Sequence, residues 1–234
     1  YSGGKRFRPA LCIWTLEALG ADPQRAFPFA AAIELIHCYS LIHDDMPCMD
    51  NDDFRRGKPS NHKAFDEATA LLAGSTLLAE AIGWVAKSYE PHFAKDLIEI
   101  LCEASGYTGM AGGQAIDIFK SDTLTTLDLD TLHALKTGAM IRVASEGAAV
   151  LAQVSQNEYT AVKKYAEHLG LAFQVADDIL DYDPNKIEPA SYPAVVGIEK
   201  TKLYLEQLTL NAKNEIKILG DKAWALEKLA DYNQ

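Results

Sequence analysis

Apolar residues recur along this chain at three- and four-residue intervals, and strict alternation over five or more residues is hard to find. That pattern predicts helices and almost no strand. Asp22-Pro23 reads as a cap leading into an apolar run from Phe27 to Ile42, and a second run covers Glu67 to Ala86, ending before Pro91. Ser155-Gln-Asn-Glu158 is a capping box that opens a helix reaching Gly170. Further helical patterns cover Ile98–Ile118, Leu129–Val154, Leu171–Leu180, Ala194–Leu210 and Asp221–Tyr232. The expectation is an all-α fold of about eight to ten helices. No Ser/Gly-rich or Pro-rich linker interrupts the pattern, so residues 1–234 read as a single domain. Ala68–Ala86 and Gly147–Val154 are apolar nearly all round, which predicts positions in the middle of a helical bundle. A bundle with buried central helices can hold a cavity, with a site built from side chains on facing helices.

Composition narrows the class. The 234 residues are 48% hydrophobic and 24% charged, ordinary for a globular protein. A chain of this length can bury roughly 70% of its unfolded surface, so it needs no disulfide staples. No uncharged apolar run reaches the roughly 18 residues of a membrane crossing, so no membrane span is expected. The net charge of −11 argues against nucleic acid and anionic lipid as partners. Cys12, Cys38, Cys48 and Cys102 show no C-x-x-C pair and no zinc spacing. They read as reduced core or near-core thiols in a reducing compartment, the cytoplasm. There is no signal-peptide pattern; the chain opens on Tyr1-Ser-Gly-Gly without Met, and a further helix ahead of it is expected.

The candidate chemistry is concentrated in acidic clusters. Leu41-Ile-His-Asp-Asp-Met-Pro-Cys-Met-Asp-Asn-Asp-Asp-Phe-Arg-Arg-Gly-Lys58 presents Asp44, Asp45 and Asp50, then Asp52 and Asp53, then Arg55 and Arg56. The preceding apolar run carries a helix straight into these aspartates, where unpaired carboxylates are costly unless something neutralises them. Oxygen-only clusters suit hard divalent cations such as Mg²⁺. Phe173-Gln-Val-Ala-Asp-Asp-Ile-Leu-Asp181 repeats the theme 133 residues later. Asp177 and Asp181 lie within ~40° of each other on a helix, whereas Asp44 and Asp50 would be ~120° apart. Pro47 removes that difficulty by breaking the helix just after Met46, so the chain can loop back to present Asp50. Asp52 and Asp53 read equally well as surface residues.

Two basic islands stand against the acidic background. Gly3-Gly4-Lys5-Arg6-Phe7-Arg8-Pro9 leads into an apolar helix, with Pro9 expected at its first position. A Gly-Gly turn, several cations and a helix N-terminus together make an anion site. Arg55-Arg56-Gly57-Lys58 is the second island. Carboxylates, metal ions and arginines in one cavity describe a site for a polyphosphate ester.

"GGKRFRP", "LIHDDMPCMDNDDFRRGKP", "KTGAMIR" and "FQVADDILD" stand in order between Tyr1 and Gly197. On these blocks the chain resembles the trans-isoprenyl diphosphate synthases, the polyprenyl synthetase family that includes farnesyl and geranylgeranyl diphosphate synthases. The resemblance implies an isoprenoid-synthase-type bundle around a deep central cavity, usually a homodimer. It implies Mg²⁺ held by Asp44, Asp45 and Asp50 and by Asp177, Asp178 and Asp181, with Asp181 acting at one remove. Arg55 would contact the allylic diphosphate, and Lys5, Arg8, His37 and Arg56 the isopentenyl diphosphate. Lys136 would meet the leaving group, with Thr137 and Gln174 steadying the carbocation. Gln114 and Asp117 resemble a segment that supports the cavity floor. The implied reaction is ionisation of geranyl or dimethylallyl diphosphate, condensation with isopentenyl diphosphate, and proton elimination to the departing diphosphate. Tyr39 and Ser40, one turn before the first aspartate, are the expected chain-length residues, with trans-farnesyl diphosphate as the product.

One departure stands out. The family carries a Gly/Lys-rich loop with a further diphosphate-binding lysine after the second motif, whereas Asp183 to Pro193 is far shorter. The expectation is that part of this loop is missing from the sequence, and Lys186 does not inherit that lysine's role. Three other readings stay open: a geranylgeranyl diphosphate synthase, a non-catalytic subunit of a heteromeric synthase, and a class I terpene cyclase. The Lys5/Arg8 island and Arg56 speak against the cyclase, and two intact aspartate motifs speak against the non-catalytic subunit.

Overall fold

The computed structural model describes residues 3–119, 125–185 and 190–232. Lys186 and the three residues after it lie outside the described residues. The all-α expectation holds. Helices α1 (Phe7–Ala18), α2 (Phe27–Asp44), α3 (Asn61–Ala64), α4 (Glu67–Ser88), α5 (Pro91–Ser105) and α6 (Met110–Phe119) form the first half. The second half holds α7 (Thr126–His133), α8 (Ala139–Ala152), α9 (Gln156–Leu180), α10 (Tyr192–Val196), α11 (Ile198–Glu215) and α12 (Trp224–Asp231).

Helix α8 occupies the centre. Met140, Ile141, Val143, Ala144, Ala148 and Leu151 are buried there, against α1, α5 and α9. Its run of small residues allows close approach: a Cβ on Gly147 would lie 1.9 Å from the ring of Phe29 on α2. A satellite cluster gathers around Tyr192, between α7, α9 and α11.

The structure revises several expected boundaries. Helix α1 begins at Phe7, two residues before the expected start, so Pro9 sits at its third position. The first turn has no intrahelical use for its N–H groups, so proline is accommodated there. The Ile98–Ile118 pattern divides at Gly106–Gly109, where backbone carbonyls crowd the Cα atoms: a Cβ on Gly109 would lie 2.2 Å from the Ala104 carbonyl oxygen. The two patterns expected to meet at Gly170 are one helix, α9. Gly170 is there for contact rather than termination, since a Cβ would lie 3.1 Å from Gly138 Cα. The capping box is present, Ser155 and Glu158 each bonding the other's backbone N–H.

Burial along α4 is the largest correction. Leu71, Leu72 and Trp84 are at least half exposed, so this helix covers one flank instead of the centre. Helices α2 and α4 are long and apolar enough by composition to cross a membrane. Charge interrupts both, at Glu34 and Glu80, and α2 runs through the core with polar residues on a cavity. Cys12 is buried and Cys38 partly so, but Cys48 and Cys102 are exposed, contrary to the near-core expectation.

Candidate active site

Helix α2 ends at Asp44, two residues earlier than Pro47 alone would require. The chain then folds back on itself: the Asp50 N–H donates to the Asp44 carbonyl (2.9 Å) and the Asn51 N–H to that of Met46 (3.1 Å). The return expected from Pro47 is thus present, and it sets Asp50 beside the helix end. Burial, with Asp50 and Asp45 close by, raises the Asp44 carboxyl to about 6 despite Lys136 and Arg55. Two carboxylates sharing a partly buried place favour a proton or a cation between them.

Asp45 has a different environment. It is buried, and its Oδ1 accepts from Arg55 Nε at 2.9 Å and also from Nη2. Arg55 Nη2 reaches Asp52 as well, at 3.3 Å. Arg55 stands in a short hairpin, β1 (Phe54–Arg55) against β2 (Lys58–Pro59), an element absent from the periodicity. Its turn residues Arg56 and Gly57 have φ of 53° and 73°, the left-handed pair that suits a tight hairpin. Asp53 pairs with Lys63 at the surface, which supports the plain reading of that residue.

The hairpin carries Arg56 to the N-terminal arm, where Nη1 donates to the Gly3 carbonyl at 2.7 Å. Gly4 there has φ of 121°, a backbone conformation that favours glycine. The two basic islands therefore meet. Around them lies a cavity of about 700 Å³ lined by Lys5, Arg8, His37 and Arg56 together with Thr137, Gln174 and Asp177. Arg6 lines this cavity too, ion-paired with Glu34. Lys5 lies over the Phe173 ring, 5.4 Å from its centroid. The sequence pattern does not mark Phe173 or Glu34 as site residues, although Glu34 lies one turn before His37 on the same helix.

Electrostatics mark this cavity as an anion site. Burial lowers Arg8 to about 10, still cationic at neutral pH, and its Nε is buried with no hydrogen-bond partner. Burial and then the charges of Arg8, Arg56, Arg6 and Arg55 depress His37 to about 3, so its imidazole is neutral.

A second cavity of about 370 Å³ shares Arg8, His37 and Thr137 with the first. Asp44 and Lys136 line it beside Tyr39, Ser40, Met110 and Ile118. Lys136 and Thr137 project from a π-type turn, Ala134–Gly138, that links α7 to α8. Such widened turns re-aim side chains and recur at functional sites. Lys136 is held by an ion pair with Asp117, and the Thr137 hydroxyl donates to Gln174 Oε1 at 3.1 Å.

The second acidic cluster is at the end of α9. Burial and the neighbouring Asp181 raise Asp177, while Lys5 and Arg8 oppose the shift. Asp178 accepts from the Tyr192 N–H at 2.8 Å, at the start of α10. Asp45, Asp50, Arg55, Asp178 and Asp181 line neither cavity. Among the described residues no three carboxylate, histidine or cysteine side chains converge into a closed cage. Asp44 with Asp50, and Asp177 with Asp181, instead offer carboxylate pairs whose mutual repulsion a divalent cation would relieve. This donor set fits Mg²⁺, which keeps several waters and completes its shell with substrate phosphates.

Comparison with known proteins agrees with this geometry. The family profile described as polyprenyl synthetase matches residues 1–188. The farnesyl diphosphate synthase of Geobacillus stearothermophilus is 42% identical, over 91% of this chain and 79% of its own. The geranylgeranyl diphosphate synthase of Cyanophora paradoxa is 38% identical, over 99% and 83%. The crystal structure of an FPP/GFPP synthase from Zymomonas mobilis superposes with a TM-score of 0.91 at 41% identity, covering 98% of this chain and 83% of that one.

Proposed function

This chain belongs to the polyprenyl synthetase family of prenyltransferases, and from that premise we propose that it joins isopentenyl diphosphate to geranyl diphosphate, forming trans-farnesyl diphosphate. Dimethylallyl diphosphate is the shorter allylic substrate. The carrying observation is the pair of cavities that meet at Arg8, His37 and Thr137. One is ringed by cations and suits the diphosphate of the homoallylic partner. The other has Asp44 and Lys136 beside apolar walls and suits an allylic diphosphate with its hydrocarbon chain.

Asp44, Asp50, Asp177 and Asp181 would hold Mg²⁺, with Asp45 and Asp178 keeping the two motifs in place. Bound there, the metal supplies positive charge that offsets the charge growing on the leaving diphosphate. Arg55 spends Nε and Nη2 on Asp45 and Asp52, which leaves Nη1 for a diphosphate oxygen. Lys136 donates to the same leaving group. The allylic C1–O bond breaks with both electrons going to oxygen. Lys5, Arg8 and Arg56 hold the isopentenyl diphosphate by charge, and His37 donates a single neutral N–H. Held so, the double bond of the homoallylic partner attacks C1, and a new carbon–carbon bond forms. The C2 proton then passes to the released diphosphate and the double bond is restored. Thr137 and Gln174 direct oxygen at the cation, while Phe173 and the apolar walls exclude water.

The exposed flank of α4, with Leu72 and Trp84, is the surface we assign to a homodimer contact. We place the enzyme in the cytoplasm, where free thiols such as Cys48 and Cys102 stay reduced. Incubation with isopentenyl diphosphate, Mg²⁺ and a series of allylic diphosphates tests the proposal through product length. Fifteen-carbon product from geranyl diphosphate is expected. A twenty-carbon product would favour a geranylgeranyl diphosphate synthase, and no product with any allylic partner would favour a non-catalytic subunit.

A further inference from the structure

Gln114 is 8% exposed, yet neither Nε2 nor Oε1 of its amide has a hydrogen-bond partner. Leaving a buried polar group unpaired destabilises a fold, so both orphaned atoms need a reason. Gln114 lines the smaller cavity together with Asp44, Lys136 and Thr137. The residue before it sets its height. Gly113 packs against the π-type turn so closely that a Cβ would lie 2.3 Å from the Lys136 backbone nitrogen. One turn further on, Asp117 is ion-paired to Lys136 itself. Helix α6 therefore packs against the turn that carries Lys136 and Thr137, with Gln114 in the wall of the cavity they share.

A hydrocarbon chain has nothing to offer either end of an amide. An ionising allylic diphosphate offers something to both: an oxygen that gains negative charge, and an allylic carbon that gains positive charge. The geometry points to Gln114 as a further catalytic residue, its Nε2–H donating to the departing diphosphate oxygen and its Oε1 dipole facing the allylic cation. This rests on the prenyltransferase reading and adds a third side-chain oxygen to those of Thr137 and Gln174. The orphaned amide is preorganised for a charge separation that exists only during ionisation, the arrangement that lowers a barrier most.

The test compares wild type with Gln114→Met, which keeps length and volume but removes the amide, and with Gln114→Leu as the second variant. Wild-type turnover checks the prenyltransferase reading by itself; the variants check Gln114. The melting temperature of Gln114→Met should stay level or rise by about 2–4 °C, since an unpaired polar group is removed. Its kcat with geranyl diphosphate should fall about 10²-fold with KM for isopentenyl diphosphate unchanged, the scale of losing one preorganised oxyanion-type donor. An unreactive thiolodiphosphate analogue of the allylic substrate should bind as in wild type. A geranyl ammonium analogue bound with inorganic diphosphate should bind at least tenfold more weakly. Wild-type kcat in both variants, or equal weakening of the two analogues, would reduce Gln114 to a wall residue.

Discussion

Asp44 and Asp45 are adjacent, yet one lines a cavity with its carboxyl raised to about 6 and the other is buried under Arg55. Their substitutions should therefore separate. Asp44→Ala should lower turnover by orders of magnitude while the melting temperature barely moves, because it removes charge stabilisation and little packing. Asp45→Ala should cost stability as well, about 1–3 kcal/mol, since it strips a buried hydrogen-bonded partner from Arg55. Parallel melting curves and steady-state rates on the two variants check this. His37 carries a pH prediction. Its folded pKa of about 3 lies below the ordinary 6.5. Between those values the unfolded chain binds a proton that the folded chain does not, so stability is full above about pH 6.5 and falls as pH drops toward 3. His37→Gln should flatten the fall in melting temperature between about pH 6.5 and 4. Tyr39 lines the smaller cavity, edge-on to His43 at 5.4 Å. Tyr39→Ala should open space of roughly a phenol ring and lengthen the product to twenty carbons or more. Product chromatography reads the outcome; unchanged fifteen-carbon product would place the floor elsewhere.

At the scale of elements, three features place the chemistry: the folded-back end of α2, the Arg55/Arg56 hairpin and the π-type turn at Lys136. Each puts charged side chains where a regular helix would not. Close packing of α8 supports them from behind. Gly147→Ala improves helix propensity by about 1 kcal/mol, yet its methyl would meet the Phe29 ring at 1.9 Å. The clash should dominate, with a net loss of about 1–3 kcal/mol, visible as a lowered denaturation midpoint at unchanged m-value. Gly147→Ala paired with Phe29→Leu should recover part of that loss.

For the whole molecule, the decisive feature is convergence. Residues from the N-terminal arm, α2, the hairpin, the π-type turn and α9 surround one anion-binding cavity. Positive charge is concentrated there in a protein of net charge −11. Chelation with EDTA should abolish turnover and Mg²⁺ should restore it, because Asp44 with Asp50 and Asp177 with Asp181 lack enough cations to offset both a diphosphate and one another. Full activity after exhaustive chelation would overturn the metal assignment.

The sequence by itself determined the helices, both acidic motifs and the two basic islands. Helical periodicity, capping residues and Asp/Arg spacing are local properties, written in neighbours three or four residues apart. It also anticipated the return of the chain after Pro47, since proline acts on its own backbone. Tertiary structure decided which aspartate faces a cavity and which is paired to Arg55, that α4 lies on a flank, that Gly170 is a crossing point, and that the Gln114 amide is left without a partner. Those outcomes depend on what the remainder of the chain places within a few ångströms. Burial, desolvation and close approach are properties of the packed molecule, and no local pattern encodes them.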